Sequence, residues 1–160
     1  TERAMQSAPV QIAFERLMRD AAGSGSLARM LAVLSVAEWS YQSWGERVLP
    51  HTVAEPFWCR EWVELHSGEY FGSVVTYLRG MLDRIAEGLS EEERAAARAT
   101  FACAILLEVA FFDQAYTEHP IAAPECATSP ISQLSSLAVG VGVGLCWVGV
   151  VLLLGLALRL

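Results

Sequence analysis

The stretch FACAILLEVAFFDQAY, residues 101–116, decides the fold class of this chain. Between Phe101 and Phe112 every residue except Glu108 is apolar or a cysteine, so a helix through this run has no polar face to turn towards water. We therefore expect Glu108 to be buried. Because burying an ionised carboxylate is costly, this group is expected to hold a raised pKa or to meet a hydrogen-bonding partner. Both properties are typical of a catalytic acid or base.

The segments before this stretch carry helix signals, and no strand or hairpin pattern is present in the sequence. A proline opens a predicted helix over residues 9–22, and the sequence GSGS after it ends that helix. A second helix is predicted over residues 27–48. A third is predicted over residues 57–89, with a bend near Ser67 and Gly68.

The sequence SEEE at residues 90–93 is a capping box, and it begins the helix that continues into the opening stretch. Helices of this length without strands predict an all-α bundle. The second helix is predicted to carry one stripe of residues, Leu31, Leu34, Ala37, Tyr41 and Trp44.

The charge of the chain excludes some partners. The 160 residues carry a net charge of −7, and from residue 121 onward only Glu125 and Arg159 are acidic or basic. Since no basic stripe is present, nucleic acid is not an expected partner. The four cysteines have no close pairing and lie beside apolar residues, which predicts buried thiols in a reducing compartment instead of disulfides or a zinc site; they are Cys59, Cys103, Cys126 and Cys146.

The tail differs from the body, residues 1–119. Residues 120–133 form a linker with prolines, and residues 134–160 are predicted to form an apolar helix. Its segment 137–158 is long enough to cross a hydrocarbon core of about 30 Å. A membrane span is favoured for this segment. A buried core helix is the alternative, because the Lys and Arg residues that usually flank a membrane span are scarce here. The prediction is a cytoplasmic body anchored by a single pass.

A second acid lies in an apolar setting. Glu38 has Tyr41 at i+3 and Gln42 at i+4, so the three can share one helix face and form a polar corner in an apolar pocket. A core glutamate bonded to Tyr41 is the alternative. No metal or other cofactor is expected, because Glu-x-x-His is absent, Glu61 and His66 have the wrong spacing, and GSGS lacks the lysine of a phosphate loop.

Three segments together resemble the C-terminal half of the TenA family, also called thiaminase II: LARMLAVLSVAEWSYQSWGERVL, PFWCREWVELHSGEYFGSVVTYLRGMLDRIAEGLSEEE and FACAILLEVAFFDQAY. The family's usual forms are close to C-x-W-x-Y, then Y-x-x-W-I-x-x-Y-x-x-x-x-F, then a Y-Y-E-x-x-F-W helix. The resemblance implies a partial haem-oxygenase-like helical bundle, commonly a homotetramer. It also implies an enzyme that cleaves or hydrolyses small pyrimidine compounds in thiamin breakdown and salvage.

The resemblance also assigns roles by position. Glu108 falls on the family's active-site glutamate, which binds the aminopyrimidine and serves as acid or base. Tyr41 falls on an active-site tyrosine, His66 replaces another, and Phe14 replaces the tyrosine that packs on the pyrimidine ring. A phenylalanine there keeps the stacking face and loses the hydroxyl.

The position of the family's catalytic cysteine is Ala37 here, with Glu38 beside it. This is similar to the branch in which a glutamate stands in for the cysteine. That branch implies a salvage aminohydrolase, which releases ammonia from 4-amino-5-aminomethyl-2-methylpyrimidine or acts on its N-formyl form. We expect Glu38 and Glu108 to divide the acid and base roles, with Tyr41 and His66 orienting the substrate.

Two features favour a rival interpretation. The family's N-terminal helices, which hold an aspartate that binds the pyrimidine amino group, have no counterpart in this sequence, and an apolar tail is foreign to the family. The chain is therefore expected to be a fragment or truncated isoform of the enzyme. The alternative is a non-catalytic, membrane-anchored helical module or a pyrimidine-binding protein with the same fold.

Overall fold

The computed structural model describes residues 7–126, and within them the fold is all-helical with no strand, as predicted. Five α-helices follow one another, with a short 3₁₀ helix, Leu49–His51, after the second. The α-helices are α1, Pro9–Gly23; α2, Leu27–Val48; α3, Phe57–Leu65; α4, Gly68–Ala86; and α5, Glu91–Gln114.

Local chemistry fixes the start of α5. The Ser90 hydroxyl accepts a hydrogen bond from the Glu93 amide at 3.2 Å. The Glu93 carboxylate in turn accepts one from the Ser90 amide at 2.8 Å, which completes the predicted capping box. Hydrogen bonds from the Ser90 side chain and backbone lower the pKa of Glu93. These local bonds satisfy amides that a helix start leaves without partners.

The third predicted helix is two helices in the structure. The bend expected near Ser67 and Gly68 is a full break between α3 and α4. Gly68 has a φ of 79°, a left-handed conformation that suits glycine, and Ser67 before it is extended. The two helices can therefore leave the break in different directions.

The core lies where α5 meets α1 and α2. One buried cluster joins residues of α2 and α5, and Phe14 and Leu17 of α1 pack against it; its members are Ala32, Val36, Phe101, Ala104 and Ile105. A second cluster joins α2, α4 and the start of α5 through Ala28, Leu31, Leu82 and Ala97. Both α2 and α5 contribute to both clusters, so these two helices form the centre of the described part of the chain.

The predicted stripe on α2 is partly wrong. Leu34 is 44% exposed, whereas Leu31 is 3% exposed. The buried face instead includes Ala32, Ser35 and Val36. Because α2 packs against α5 on one side and α4 on another, its buried surface is broader than a single i, i+3, i+4 stripe and leaves Leu34 outside it.

The cysteine prediction is corrected for three residues. A disulfide joins Cys103 to Cys126, although both were expected to be free thiols, and Cys59 is free but exposed. After α5 the chain turns back. A hydrogen bond of 2.8 Å, which the Ile121 amide donates to the Gln114 side-chain oxygen, holds this turn. This return brings the two Cα atoms within 5.1 Å across a separation of 23 residues, which no local pattern in the sequence announces.

The predicted linker at 120–133 is described only as far as residue 126, and its described part is non-helical. The predicted apolar helix at 134–160, its membrane span at 137–158, and Cys146 lie outside the described residues. Among residues 7–126, α5 is long and apolar enough to cross a membrane by length and composition. Half of its apolar window is buried inside the protein, as in a core helix, so this is weak evidence for insertion.

Candidate active site around Glu108

Glu108 is buried in the C-terminal half of α5. It is 4% exposed, and this burial is the main reason that its pKa rises from 4.5 to about 7. The hydroxyl of Ser40 donates a hydrogen bond to Glu108 Oε1 at 3.1 Å, which acts in the opposite direction, and the charge of Glu38 raises the pKa further. The expectation that this carboxyl is buried and either holds a raised pKa or meets a hydrogen-bonding partner agrees with the structure, in which it is buried and meets Ser40.

The two oxygens of this carboxyl differ. Oε1 accepts the bond from Ser40, while Oε2 is buried and has no hydrogen-bond partner among the described residues. A buried carboxylate oxygen without a donor costs free energy when it is ionised, and a protonated carboxyl avoids that cost. The arrangement therefore favours the neutral form of Glu108 and leaves one oxygen available to a further donor.

Glu38 and Tyr41 act on Glu108 from α2. The pKa of Tyr41 is raised by its burial first, then by the charges of Glu108 and Glu38, so the three groups lie close enough to influence one another. Within residues 7–126, no hydrogen bond joins Glu38 to Tyr41. This argues against the alternative that Glu38 is only a core glutamate bonded to Tyr41. The two acids and the phenol thus face one region between α2 and α5.

The predicted polar corner differs in one member. The side chain of Gln42 donates to Glu46 one turn along the exposed face of α2, at 3.0 Å, instead of joining Glu38. Ser40 takes the place next to Glu108, and sequence reasoning missed it. The partner of Ser40 is 68 residues away along the chain, so no local pattern singles out this serine.

An aromatic cluster adjoins the acids. The Tyr41 ring lies edge-on to Trp62 at 5.5 Å, to His66 at 5.5 Å and to Phe112 at 6.3 Å between ring centres. Trp62 and His66 stack on each other at 4.1 Å. Together these rings form an aromatic wall, in which Trp62 and His66 are stacked and Tyr41 stands edge-on to them.

The backbone holds His66 in this cluster. Its Nδ1 lies 2.7 Å from the Trp62 carbonyl oxygen, so the neutral ring carries its proton on Nδ1 and leaves Nε2 as an acceptor. Gly45 allows the approach of α2, since a Cβ there would lie 2.5 Å from the His66 carbonyl oxygen. The structure therefore brings His66 to Tyr41, two of the residues predicted for the site.

Phe14 occupies a different place. It packs on the core cluster that includes Ile105, one turn before Glu108 on α5, and it makes no ring contact with the aromatic cluster in the described part of the chain. Phe14 therefore reaches α5 from α1, about one turn before Glu108. Among residues 7–126, no group of three or more His, Cys, Asp or Glu side chains could hold a metal ion.

This arrangement suits proton transfer beside an aromatic ligand. A carboxyl with a pKa of about 7 exists in both protonation states near neutral pH, so it can give or take a proton. A second carboxyl, Glu38, is near enough for its charge to raise the pKa of Glu108. The chemistry available is general acid and base catalysis on a small ring compound.

The chain is similar to known proteins of one family. Residues 3–118 match the model of the TENA/THI-4/PQQC family. An "aminopyrimidine aminohydrolase" of Halalkalibacterium halodurans is 32% identical over 117 residues, which cover 72% of this chain and 52% of the relative. Another of that name from Bacillus subtilis is 27% identical over 114 residues, which cover 71% and 48%. No solved structure matches significantly.

The chain spans about half the length of the curated relatives that it matches. The family match covers the helices that carry Glu38, Tyr41, His66 and Glu108, so it includes the whole cluster described above. On the extent of this match, the chain belongs to the TENA/THI-4/PQQC family.

Proposed function

We propose that this chain carries the acid–base half of an aminopyrimidine aminohydrolase of thiamin salvage. The substrate is 4-amino-5-aminomethyl-2-methylpyrimidine, which takes up one water and gives the hydroxymethylpyrimidine and ammonia. Its N-formyl form gives the same products after a second water has removed the formyl group as formate. The observation that carries the proposal is the buried carboxyl of Glu108, with its pKa of about 7, next to a second carboxyl and an aromatic wall. The names of the two relatives agree with this reaction class.

In the reaction, the bond between the exocyclic carbon and the amine nitrogen breaks, and a bond to a water oxygen forms. The leaving nitrogen needs a proton, and the water must lose one. Glu108 near neutral pH can supply a proton in its neutral form, and Glu38 can accept one as a carboxylate. We assign these two roles to the two glutamates because the charge of Glu38 raises the pKa of Glu108 and so favours the protonated form of Glu108.

The aromatic wall supports the substrate assignment. A pyrimidine is flat, and the rings of Tyr41, Trp62 and His66 present aromatic edges and faces on which a flat ring can pack. In this proposal Tyr41 and His66 orient the ring, and Phe14 supports the pocket from α1. The free oxygen of Glu108, Oε2, accepts a hydrogen bond from a ring substituent.

Three further statements are proposals of the same kind. The protein forms a homo-oligomer, its body lies in the cytoplasm, and the segment 137–158 inserts into a membrane. The first is supported by the family resemblance alone. The third is supported by composition. The second depended on the expectation of free cysteines, and the disulfide between Cys103 and Cys126 argues against a reducing compartment for the body.

The test is ammonia release from 4-amino-5-aminomethyl-2-methylpyrimidine. It uses this chain and a form extended upstream to the length of the relatives. In whichever form is active, Glu108→Gln is expected to lower kcat about 10²-fold or more, because it removes the titrating group. Glu38→Gln is expected to lower it similarly, and Glu46→Gln on the exposed face of α2 is the matched control.

The outcomes separate the alternatives. Activity that is lost in Glu108→Gln and kept in Glu46→Gln supports the proposal. Unchanged turnover in Glu38→Gln would refute only the role of Glu38 as the carboxylate that accepts a proton. A folded, extended protein that binds the pyrimidine without releasing ammonia would replace the enzyme with a pyrimidine-binding protein.

A further inference from the structure

Ser40 provides the one hydrogen bond that reaches Glu108 from the described residues. Its Oγ lies 3.1 Å from Glu108 Oε1 and 2.9 Å from the carbonyl oxygen of Ala37, one turn back in α2. Both neighbours are acceptors when Glu108 is ionised. A hydroxyl has a single proton, so it cannot donate fully to both at once.

The preferred direction of the bond depends on the state of Glu108. When the carboxyl is ionised, the Ser40 proton points to it, because a charged acceptor makes the stronger hydrogen bond. When the carboxyl is protonated, it can donate to Ser40 Oγ, and the serine proton turns to the Ala37 carbonyl oxygen. Each state is satisfied by rotation of one hydroxyl, without movement of heavy atoms.

We propose that Ser40 is a positioning residue, whose hydroxyl reverses its hydrogen bond to Glu108 and so holds Oε1 in one place while the carboxyl gains and loses a proton. The inference rests on the proposed function, because only a carboxyl that changes its protonation state in turnover needs such a partner. Oε2 has no partner within residues 7–126, so Ser40 is the contact that fixes the orientation of the group there.

Other groups around Glu108 are independent of Ser40. From α2 it is influenced by Glu38 and Tyr41, whose ionisable groups remain when the serine is changed. From the residue that follows α3, His66 contacts the Tyr41 ring. From α1, which also packs on α5, the charged side chains pair with one another at the exposed surface: Glu15 with Arg19 and Arg16 with Asp20. A substitution at position 40 therefore isolates the hydroxyl.

The direct test measures the protonation of Glu108 without substrate, in the full chain. The variants are Ser40→Ala, which removes the hydroxyl, and Ser40→Thr, which keeps it. Ser73→Ala is the matched control, since Ser73 bonds only to a carbonyl of its own helix at 2.6 Å on an exposed face. The carboxyl signal is read by infrared absorption or by NMR of ¹³C-labelled glutamate, and is assigned by its loss in Glu108→Gln.

Ser40→Ala is expected to raise the pKa of Glu108 by about 1, because the ionised form loses its donor. Ser40→Thr and Ser73→Ala are expected to titrate like the unchanged protein. Circular dichroism checks that each variant is helical. An unchanged pKa in Ser40→Ala overturns the proposal, and so does an equal shift in Ser40→Ala and Ser40→Thr.

In a form of the protein that releases ammonia, the same shift is expected in the pH profile of kcat/KM, with Ser40→Thr restoring the original profile. A purely structural role would lower activity at every pH without moving the profile. If the carboxyl titration follows the prediction while no form releases ammonia, the proposed function fails and the Ser40 contact stands. The two failures are therefore distinguishable.

Discussion

The buried carboxyl of Glu108 makes the free energy of unfolding depend on pH, and one substitution removes that dependence. Glu108→Gln keeps the size of the side chain and an oxygen to which Ser40 can donate, but it removes the ionisable group. The comparison of the two proteins across pH therefore isolates the cost of ionising this one carboxyl inside the fold.

The magnitude follows from the pKa of Glu108, which rises from 4.5 to about 7 in the folded protein. Below the lower value the group is protonated in both states and contributes nothing. Between the two values the folded state keeps the proton that the unfolded state has released, so stability falls as pH rises. Since one pKa unit corresponds to about 1.36 kcal/mol, the loss reaches about 3 kcal/mol above neutral pH and then stays constant.

The assay is urea unfolding followed by helical circular dichroism at about pH 4 and about pH 8. Relative to the unchanged protein, Glu108→Gln is expected to gain about 3 kcal/mol between these two conditions. Glu46→Gln is the control, because it removes a carboxylate on the exposed face of α2 without changing burial. If the Glu108→Gln and unchanged proteins lose stability in parallel with pH, the raised pKa is not a property of the folded state and the reasoning fails.

Two further predictions concern the fold around the site. Gly45→Ala is expected to destabilise the protein by about 1–3 kcal/mol and to disturb the His66 ring, because its Cβ would lie 2.5 Å from the His66 carbonyl oxygen. Gly23→Ala is the control, since a Cβ there would meet nothing within 4 Å and should not lower the urea midpoint. Equal midpoints for the two variants would contradict the close contact at Gly45. Cys126→Ala is expected to lower the free energy of unfolding by about 3 kcal/mol, because it opens a loop closed over 23 residues. Cys59→Ala, which removes a free and exposed thiol, should lower it little. If dithiothreitol does not lower the urea midpoint of the unchanged protein, the disulfide does not contribute to stability.

The features predicted correctly from the sequence are those that local chemistry sets. The limits of α2 follow from its flanking residues, and the start of α5 follows from a capping box within four residues. The burial of Glu108 could be predicted because every other residue from 101 to 112 is apolar or a cysteine. Each of these depends on residues within a few turns of one another.

The features missed depend on contacts between distant segments. Leu34 has the same apolar character as Leu31, and only the directions from which α4 and α5 pack leave it exposed. Ser40 meets Glu108 across 68 residues, and Cys103 meets Cys126 through a return of the chain after α5. The places of His66 and Phe14 were suggested by the family resemblance, since neither has a local signal of its own.

The position of the core helix at the end of the helical body has a consequence for biosynthesis. The apolar residues of α1 and α2 that pack on α5, among them Phe14 and Val36, leave the ribosome before their partners on α5 exist. At about 5–20 residues per second, several seconds pass between the end of α2 and the end of α5. During that time the nascent chain presents an uncovered apolar surface, and such a surface is prone to aggregation.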